Sequence, residues 1–277
     1  MKIAVMADEN GNPDIKKLTQ LIGQSLSNAY VLSMLPNDAD LVLVIGGDGF
    51  MTHTVRTISS ECPKFIGINR GTRGFLLNRF ADTDDVLELI RTAQFIEFPL
   101  LSVELEDKDG CITTTTAFND VMISRARGQA IRLRIDIDGV NLTSHFGCRS
   151  YFGDGLIVCT PGGCTGWSRS YHGLAIMPDS HSFGLTPVGP NEPDCDIFLP
   201  ITIADNTIIS INVLDSTKRP TLVIADSLEF PSIRRITIRK HERQVQLGFA
   251  PTENYYRKVL EFFRQKRTLN NGGLRCA

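Results

Sequence analysis

The 277 residues hold a single Trp, and aromatic side chains make up only 8% of them. No block of Lys and Arg interleaves with aromatics and the formal net charge is −2, which argues against a nucleic-acid partner. No apolar run approaches the roughly 20 residues that cross a bilayer, so no membrane partner is expected. The start, Met1-Lys2-Ile3-Ala4-Val5-Met6, is too short and turns polar too soon for a secretory signal. Seven cysteines fall without any C-x-x-C spacing, which argues against a zinc site or a disulfide framework; reduced thiols in a cytoplasmic protein are the expectation. Neither an internal repeat nor a low-complexity linker is visible. What remains, 42% hydrophobic and 22% charged, is an ordinary globular composition, and at this length two domains sharing a cleft are expected.

The first hundred residues alternate strand-like and helix-like patterns. Residues 2–6 read as a short strand, and Asn12-Pro13 as a helix start with Pro at its first position. Ile15, Leu18, Ile22 and Leu26 then recur at helical spacing. Residues 41–45 form a second strand, 65–68 a third and 82–92 a helix with Val86, Leu89 and Ile90 on its apolar side, a βαβ series that implies a parallel sheet. Near Pro99 the pattern becomes two-residue alternation. Leu101, Val103 and Leu105 follow it, as do Ile131, Leu133, Ile135 and Ile137 before the hairpin signal Asp138-Gly139. Further β-like runs occupy 207–213, 221–224, 233–238 and 245–247, and Tyr256, Val259, Leu260 and Phe263 form an apolar stripe after Pro251. The expected fold is therefore α/β. Residues 1–99 form a parallel-sheet domain, 100–250 a β-rich nucleotide-binding domain, and 251–277 a C-terminal helix that packs back on the first domain.

Leu41-Val42-Leu43-Val44-Ile45 ends abruptly in Gly46-Gly47-Asp48-Gly49. The apolar run fits a strand buried on both faces, and the glycines let the backbone turn and approach a ligand where a Cβ would collide. Asp48 then lies at the carboxyl end of a central strand, where open α/β sheets bind ligands, placed to take a proton or hold Mg²⁺ beside phosphates on bare amides. The competing reading is a tight strand-to-helix turn with a solvated Asp. A second segment, Asn69-Arg70-Gly71-Thr72-Arg73-Gly74-Phe75-Leu76, offers loop amides and two guanidiniums to one phosphate, or is a surface turn with arginines beside it. In a third, Asn119-Asp120 precedes the apolar run Val121-Met122-Ile123, set to bond ribose hydroxyls or a base edge, or simply turning into a strand. The fourth runs from Gly153-Asp154-Gly155 through Leu156-Ile157-Val158-Cys159 into Thr160-Pro161-Gly162-Gly163-Cys164-Thr165-Gly166-Trp167-Ser168. It supplies amide and hydroxyl donors for phosphates and an aromatic face for a base, although the lone Trp also fits a core position.

These four motifs, in this order over roughly residues 2–230, resemble the NAD kinases, which phosphorylate the adenosine-ribose 2′-hydroxyl of NAD. The resemblance implies an N-terminal α/β domain followed by a β-rich domain, the NAD kinase/diacylglycerol kinase-like arrangement. It also implies Mg²⁺, ATP or polyphosphate as donor, small-molecule nucleotides as partners, and a homo-oligomer, dimer or tetramer. By the same resemblance Asp48 is the base toward the ribose hydroxyl, and Gly46, Gly47 and Gly49 form the phosphate-side turn. Asn69, Arg70, Gly71, Arg73, Asn119, Asp120, Asp154, Thr160, Thr165, Gly166, Trp167 and Ser170 complete the nucleotide-binding set, with no protein-held metal site.

Departures from the family pattern cluster around the acceptor. Phe50 stands where the family has Thr after Gly-Gly-Asp-Gly, and Asp120 stands for its Glu. The stretch Gly162 to Trp167 replaces Thr-Gly-Ser-Thr-Ala-Tyr. Gly189-Pro190-Asn191-Glu192 replaces Cys-Pro-His-Ser, and a segment at 147–152 looks inserted. Phosphoryl transfer looks retained; acceptor identity is what these changes touch. A kinase for another nucleotide or nucleoside, or a non-catalytic nucleotide sensor, are the alternatives.

Overall fold

The computed structural model describes residues 1–9, 13–33, 38–58, 64–81, 84–142, 150–191 and 199–264. Asn12, residues 82–83 of the expected helix, 147–149 of the inserted segment, Glu192, and the tail from 265 lie outside the described residues.

The first half builds a parallel sheet from β1 (Lys2–Ala7), β2 (Val31–Ser33), β3 (Leu41–Gly46) and β4 (Lys64–Asn69), with β3 between β1 and β4. Helices α1 (Pro13–Ser27), α2 (Asp48–Ile58) and α3 (Val86–Thr92) cover it. The unbroken apolar run of β3 has a direct cause. Leu41, Leu43 and Ile45 pack into the core under α1 and α3, while Val42 and Val44 pack into the core that holds Met51 and Val55 of α2. Both faces are buried, so neither needs polar residues. Helix α3 starts at Val86 because the Asp85 side chain caps it, accepting from the amides of Leu87 and Glu88.

The second half is a β-sandwich. One layer, antiparallel, has the order β13 (Ile201–Ala204), β12 (Ser182–Val188), β11 (Gly155–Cys159), β7 (Asp120–Arg125), β15 (Thr221–Ala225), β16 (Leu228–Pro231). The other contains β5 (Gln94–Asp107), β6 (Ile112–Ala117), β8 (Ile131–Ile137), β9 (Val140–Asn141), β10 (Tyr151–Gly153), β14 (Ile209–Leu214) and β17 (Ile233–Phe249). The alternating residues of β5 and β8 face the sandwich core together with Val121, Ile123, Leu156 and Val158. Strand β11 repeats the logic of β3: Leu156 and Val158 point into the sandwich, Ile157 and Cys159 into the core shared with α2.

The two runs expected at 233–238 and 245–247 are one 17-residue strand. β17 pairs with β14 and β5 in the sandwich, shifts register between Lys240 and Gln244, and ends parallel to β4 in the first sheet. The polar stretch at the shift is where its buried face changes layer. Asn78 secures the junction: its side-chain amide donates to the carbonyls of Gly67 and Gly248, and its carbonyl accepts from the amide of Ala250, at 2.7–2.9 Å. Helix α5 (Tyr255–Phe263), after a 3-10 turn at Gly163–Thr165 and the one-turn α4 (Trp167–Ser170), lies against the same junction. Asn254 caps α5, and the buried Tyr255 ring packs on Phe98 and Phe249 while its hydroxyl donates to the Pro161 carbonyl.

Candidate active site

The two strands buried on both faces end at the same place. At the end of β3, Gly47 and Gly71 approach backbone to backbone: a Cβ on Gly71 would lie 2.8 Å from the Gly47 Cα. The Arg70 amide donates to the Gly46 carbonyl at 2.7 Å, and the Gly71 amide to the Asn69 side-chain oxygen at 2.9 Å, so the loop after β4 is closed onto the loop after β3. Gly74 takes a left-handed φ of 70° and packs so tightly on Asn69 that a Cβ would clash. These contacts serve one end. The amides of Gly74 and Leu76 each donate to one oxygen of Asp48, both at 2.9 Å. The carboxylate opens α2, where the helix dipole favours negative charge, and each oxygen keeps lone-pair capacity for a further donor.

Across the cleft, the loop before β7 is locked from three directions. The carboxylate of Asp226, in the left-handed turn between β15 and β16, accepts from the amides of Phe118, Asn119 and Asp120. The Thr160 hydroxyl donates to the Phe118 carbonyl at 2.6 Å and the Thr160 amide to that of Asn119. Gly163 lies so close that a Cβ would overlap the Asn119 carbonyl. Held this way, Asn119 keeps a buried side-chain oxygen with no partner, which a hydroxyl or amide of a ligand would satisfy. Asp120 is buried beside it. Desolvation, with the charge of Asp226 adding to it, pushes its carboxyl up to about 7; Asp226 is also raised, chiefly by burial.

Between these walls lies a cleft of about 220 Å³, lined by Gly49, Thr52 and His53 of α2, by Asn119 and Asp120, by Gly166 and Trp167, and by Asp226 and Ser227. Trp167 is 43% exposed and forms part of its wall. Thus Gly49, Asn119, Asp120, Gly166 and Trp167 share one cavity, next to the cluster of Gly46, Gly47, Asp48, Asn69 and Gly71. Other residues in the expected set are placed differently. Arg70 donates to the Phe80 carbonyl at 2.6 Å and braces the loop. Arg73 stacks on Phe262. Thr160 is a buried strut, Thr165 lies in the 3-10 turn, and Ser170 is exposed at the end of α4. Asp154 is at the far end of β11, about 20 Å from Thr160 at strand rise, paired with Arg125 at 3.1 Å.

The sequence reading missed Asp226, His53 and Lys258. Lys258 of α5 pairs with Glu253 and donates to the Leu77 carbonyl, bracing the loop that holds Asp48. Only Asp226 carried a local signal, an Asp-Ser pair between two strand-like runs.

A sheet end that fixes a carboxylate with backbone amides, facing a cleft with an unsatisfied amide oxygen and buried carboxyls, defines a nucleotide-binding protein with the equipment of a phosphotransferase. The chain belongs to the NAD kinase family. Residues 8–94 match the ATP-NAD kinase N-terminal domain and residues 118–247 the ATP-NAD kinase C-terminal domain. It is 33% identical over 223 residues to the NAD kinase of Xanthomonas oryzae pv. oryzae, covering 80% of this chain and 84% of that one. To the NAD kinase of Rhizobium meliloti it is 31% identical over 208 residues, 75% and 78% of the two chains. The fold is that of yeast NADH kinase complexed with NADH, at a TM-score of 0.80 and 18% identity over 97% of this chain and 89% of that one. It is equally that of an NAD kinase from Archaeoglobus fulgidus in complex with ATP, at a TM-score of 0.74 and 22% identity over 95% and 98%. Among the described residues no helix is long and apolar enough to cross a membrane.

Proposed function

We propose that this protein transfers the terminal phosphoryl group of ATP to the 2′-hydroxyl of the adenosine ribose of NAD, giving NADP. The observation that carries this reading is the pairing of Asp48, clamped by two backbone amides, with a cleft whose opposite wall presents Asn119 and Asp120. Asp48 accepts the hydroxyl proton as the ribose oxygen attacks phosphorus, and its fixed geometry keeps that oxygen aligned. Asn119 fills its buried acceptor from the nucleotide, and Asp120, protonated or ionised near neutrality, bonds a hydroxyl as donor or acceptor. Gly46, Gly47 and Gly49 leave the donor phosphates room against the backbone, and Trp167 gives a ring to stack on.

Mg²⁺, when bound, neutralises charge on the donor phosphates. Among the described residues no group of three or more His, Cys, Asp and Glu converges on a metal position. On this reading the donor phosphates would carry the cation, beside Asp48 at the end of β3. Polyphosphate is the alternative donor. The reading extends to a cytoplasmic homo-oligomer, dimer or tetramer, and to lobes at 1–99 and 100–250 with 251–277 closing on the first.

Incubation with ATP and Mg²⁺ and a panel of NAD, NADH and other adenine nucleotides tests the proposal. NADP formation is expected. Phosphorylation of another nucleotide alone marks a divergent kinase, and binding without turnover a sensor. Asp48→Asn keeps the size of the side chain and removes its basicity; kcat falls by about 10² to 10⁴ with nucleotide affinity within a few-fold. Near wild-type turnover makes Asp48 structural.

A further inference from the structure

Outside the cleft, two arginines from different walls meet on one ring. The Arg73 guanidinium carbon lies 5.0 Å from the centre of the Phe262 ring, and that of Arg169 lies 5.7 Å from the same centre and 5.0 Å from the Phe263 ring. Arg73 immediately precedes Gly74, whose amide holds Asp48. Arg169 sits two residues beyond Trp167, in the same helical turn α4. Phe262 itself packs on Phe75, at 4.7 Å between ring centres, so the end of α5 bridges the Asp48 loop and the Trp167 turn.

We infer that Arg73 and Arg169 form a two-guanidinium seat for the terminal phosphates of the donor, with Phe262 holding both side chains in place. The inference rests on the reading of the chain as a phosphotransferase. Its first support is what the pair lacks. Among the described residues neither arginine has a carboxylate partner, and the Arg169 Nε is buried without a hydrogen bond. Two like charges gathered on one ring with a donor left unsatisfied call for an anion.

The second support is geometric. A guanidinium stacked on an aromatic ring uses its face and keeps its in-plane N–H fork for a planar or tetrahedral oxyanion. Nearby cations do not compete for this role: Arg70 donates to the Phe80 carbonyl, and Lys258 pairs with Glu253. The third is chemical. Phosphoryl transfer is driven mainly by positioning and neutralisation of charge on the transferring group; Arg73 belongs to the loop that positions Asp48, and Arg169 joins it on the Phe262 ring. The class of ligand is a chain of phosphates, whether carried by a nucleoside or free.

Calorimetric titration with inorganic tripolyphosphate and, separately, with ATP tests the seat, using wild type, Arg73→Gln, Arg169→Gln and the double variant. Loss of one charge-assisted phosphate contact is expected to weaken binding of either ligand about tenfold, and loss of both about a hundredfold. In steady-state assays KM for ATP rises in parallel, with KM for NAD within about twofold. ATP and tripolyphosphate weakened alike place the arginines on the phosphates; ATP weakened alone ties the seat to a nucleoside-borne donor. Unchanged affinity for both, a rise confined to KM for NAD, or a wild type that binds neither ligand overturns the inference. Arg73 is exposed, so Arg73→Gln carries the test even where Arg169→Gln unfolds the chain. Arginine-dependent tripolyphosphate binding without NADP formation leaves the seat standing and removes the NAD kinase reading. NADP formation with arginine-independent binding does the reverse.

Discussion

The two walls of the cleft are built by opposite means. On the β3 side, backbone meets backbone: Gly47 lies on Gly71, and amides of Gly74 and Leu76 hold Asp48. On the β11 side, side chains do the holding: Asp226 grips three amides, Thr160 grips a carbonyl, and Asp120 is buried against the charge of Asp226. The first wall has no room for an added carbon at Gly71. The second is as tight at Gly163, where a Cβ would overlap the Asn119 carbonyl, but it also holds a carboxyl whose ionisation burial opposes. Gly71 tests the first wall. A methyl there meets the Gly47 Cα at 2.8 Å, and neither backbone is free to yield. Gly71→Ala is expected to displace the Asp48 clamp and cut kcat by about 10² or more, since misplacement of about 1 Å costs that much. Gly49→Ala is the control, because a methyl at that position meets nothing within 4 Å and the fold should be untouched. Equal losses of thermal stability in the two variants would break the comparison.

The second wall predicts a pH signature. Burial raises Asp120 from an ordinary 3.8 to about 7, so the folded protein holds this proton more tightly than the unfolded chain. A raised carboxyl contributes its full stability at low pH and loses it as pH climbs through the folded value, so this group destabilises the fold progressively between about pH 4 and pH 7. Asp226 is raised in the same sense, chiefly by its own burial. Asp120→Asn resembles the protonated form. Its Tm should match wild type at or below about pH 4 and exceed it by on the order of 5 °C at pH 8, read by thermal melts across that range. A gap that is flat with pH would mean that Asp120 does not carry the shifted proton.

What the sequence made legible follows from the same contrast. β3 and β11 stand out as unbroken apolar runs because each is buried on both faces, and the glycines after them mark where backbones must touch. Local composition therefore located the β3 wall and the strand ends. The β11 wall depends on Asp226, 106 residues from Asp120, and no local pattern links two residues so far apart. Arg70 and Arg73 look alike in the chain, three residues apart beside glycines. Only the fold turns one toward the Phe80 carbonyl and the other toward Phe262. β17 reads as two strands because its buried face switches where it passes from the sandwich to the parallel sheet.

The mildest perturbation tests where the nucleotide lies between the walls. Trp167 opens α4 on the β11 side, lines the cleft and is 43% exposed, so a ligand ring can cover it without moving the core. It is the chain's one indole, and its emission therefore reports this wall alone. Titration with NAD should quench or shift that emission with a midpoint matching the kinetic affinity, and ATP alone should change it less if the donor phosphates lie toward the Asp48 wall. Trp167→Phe keeps a ring while shrinking its area; an aromatic pair is worth about 0.5–1.5 kcal/mol, so KM for NAD should rise roughly two- to tenfold with kcat little changed. The loss is small because the residue is half in solvent and contributes no contact to the Asp48 clamp. Emission that stays constant at saturating NAD places the acceptor away from the β11 wall, and the division of labour between the two walls fails with it.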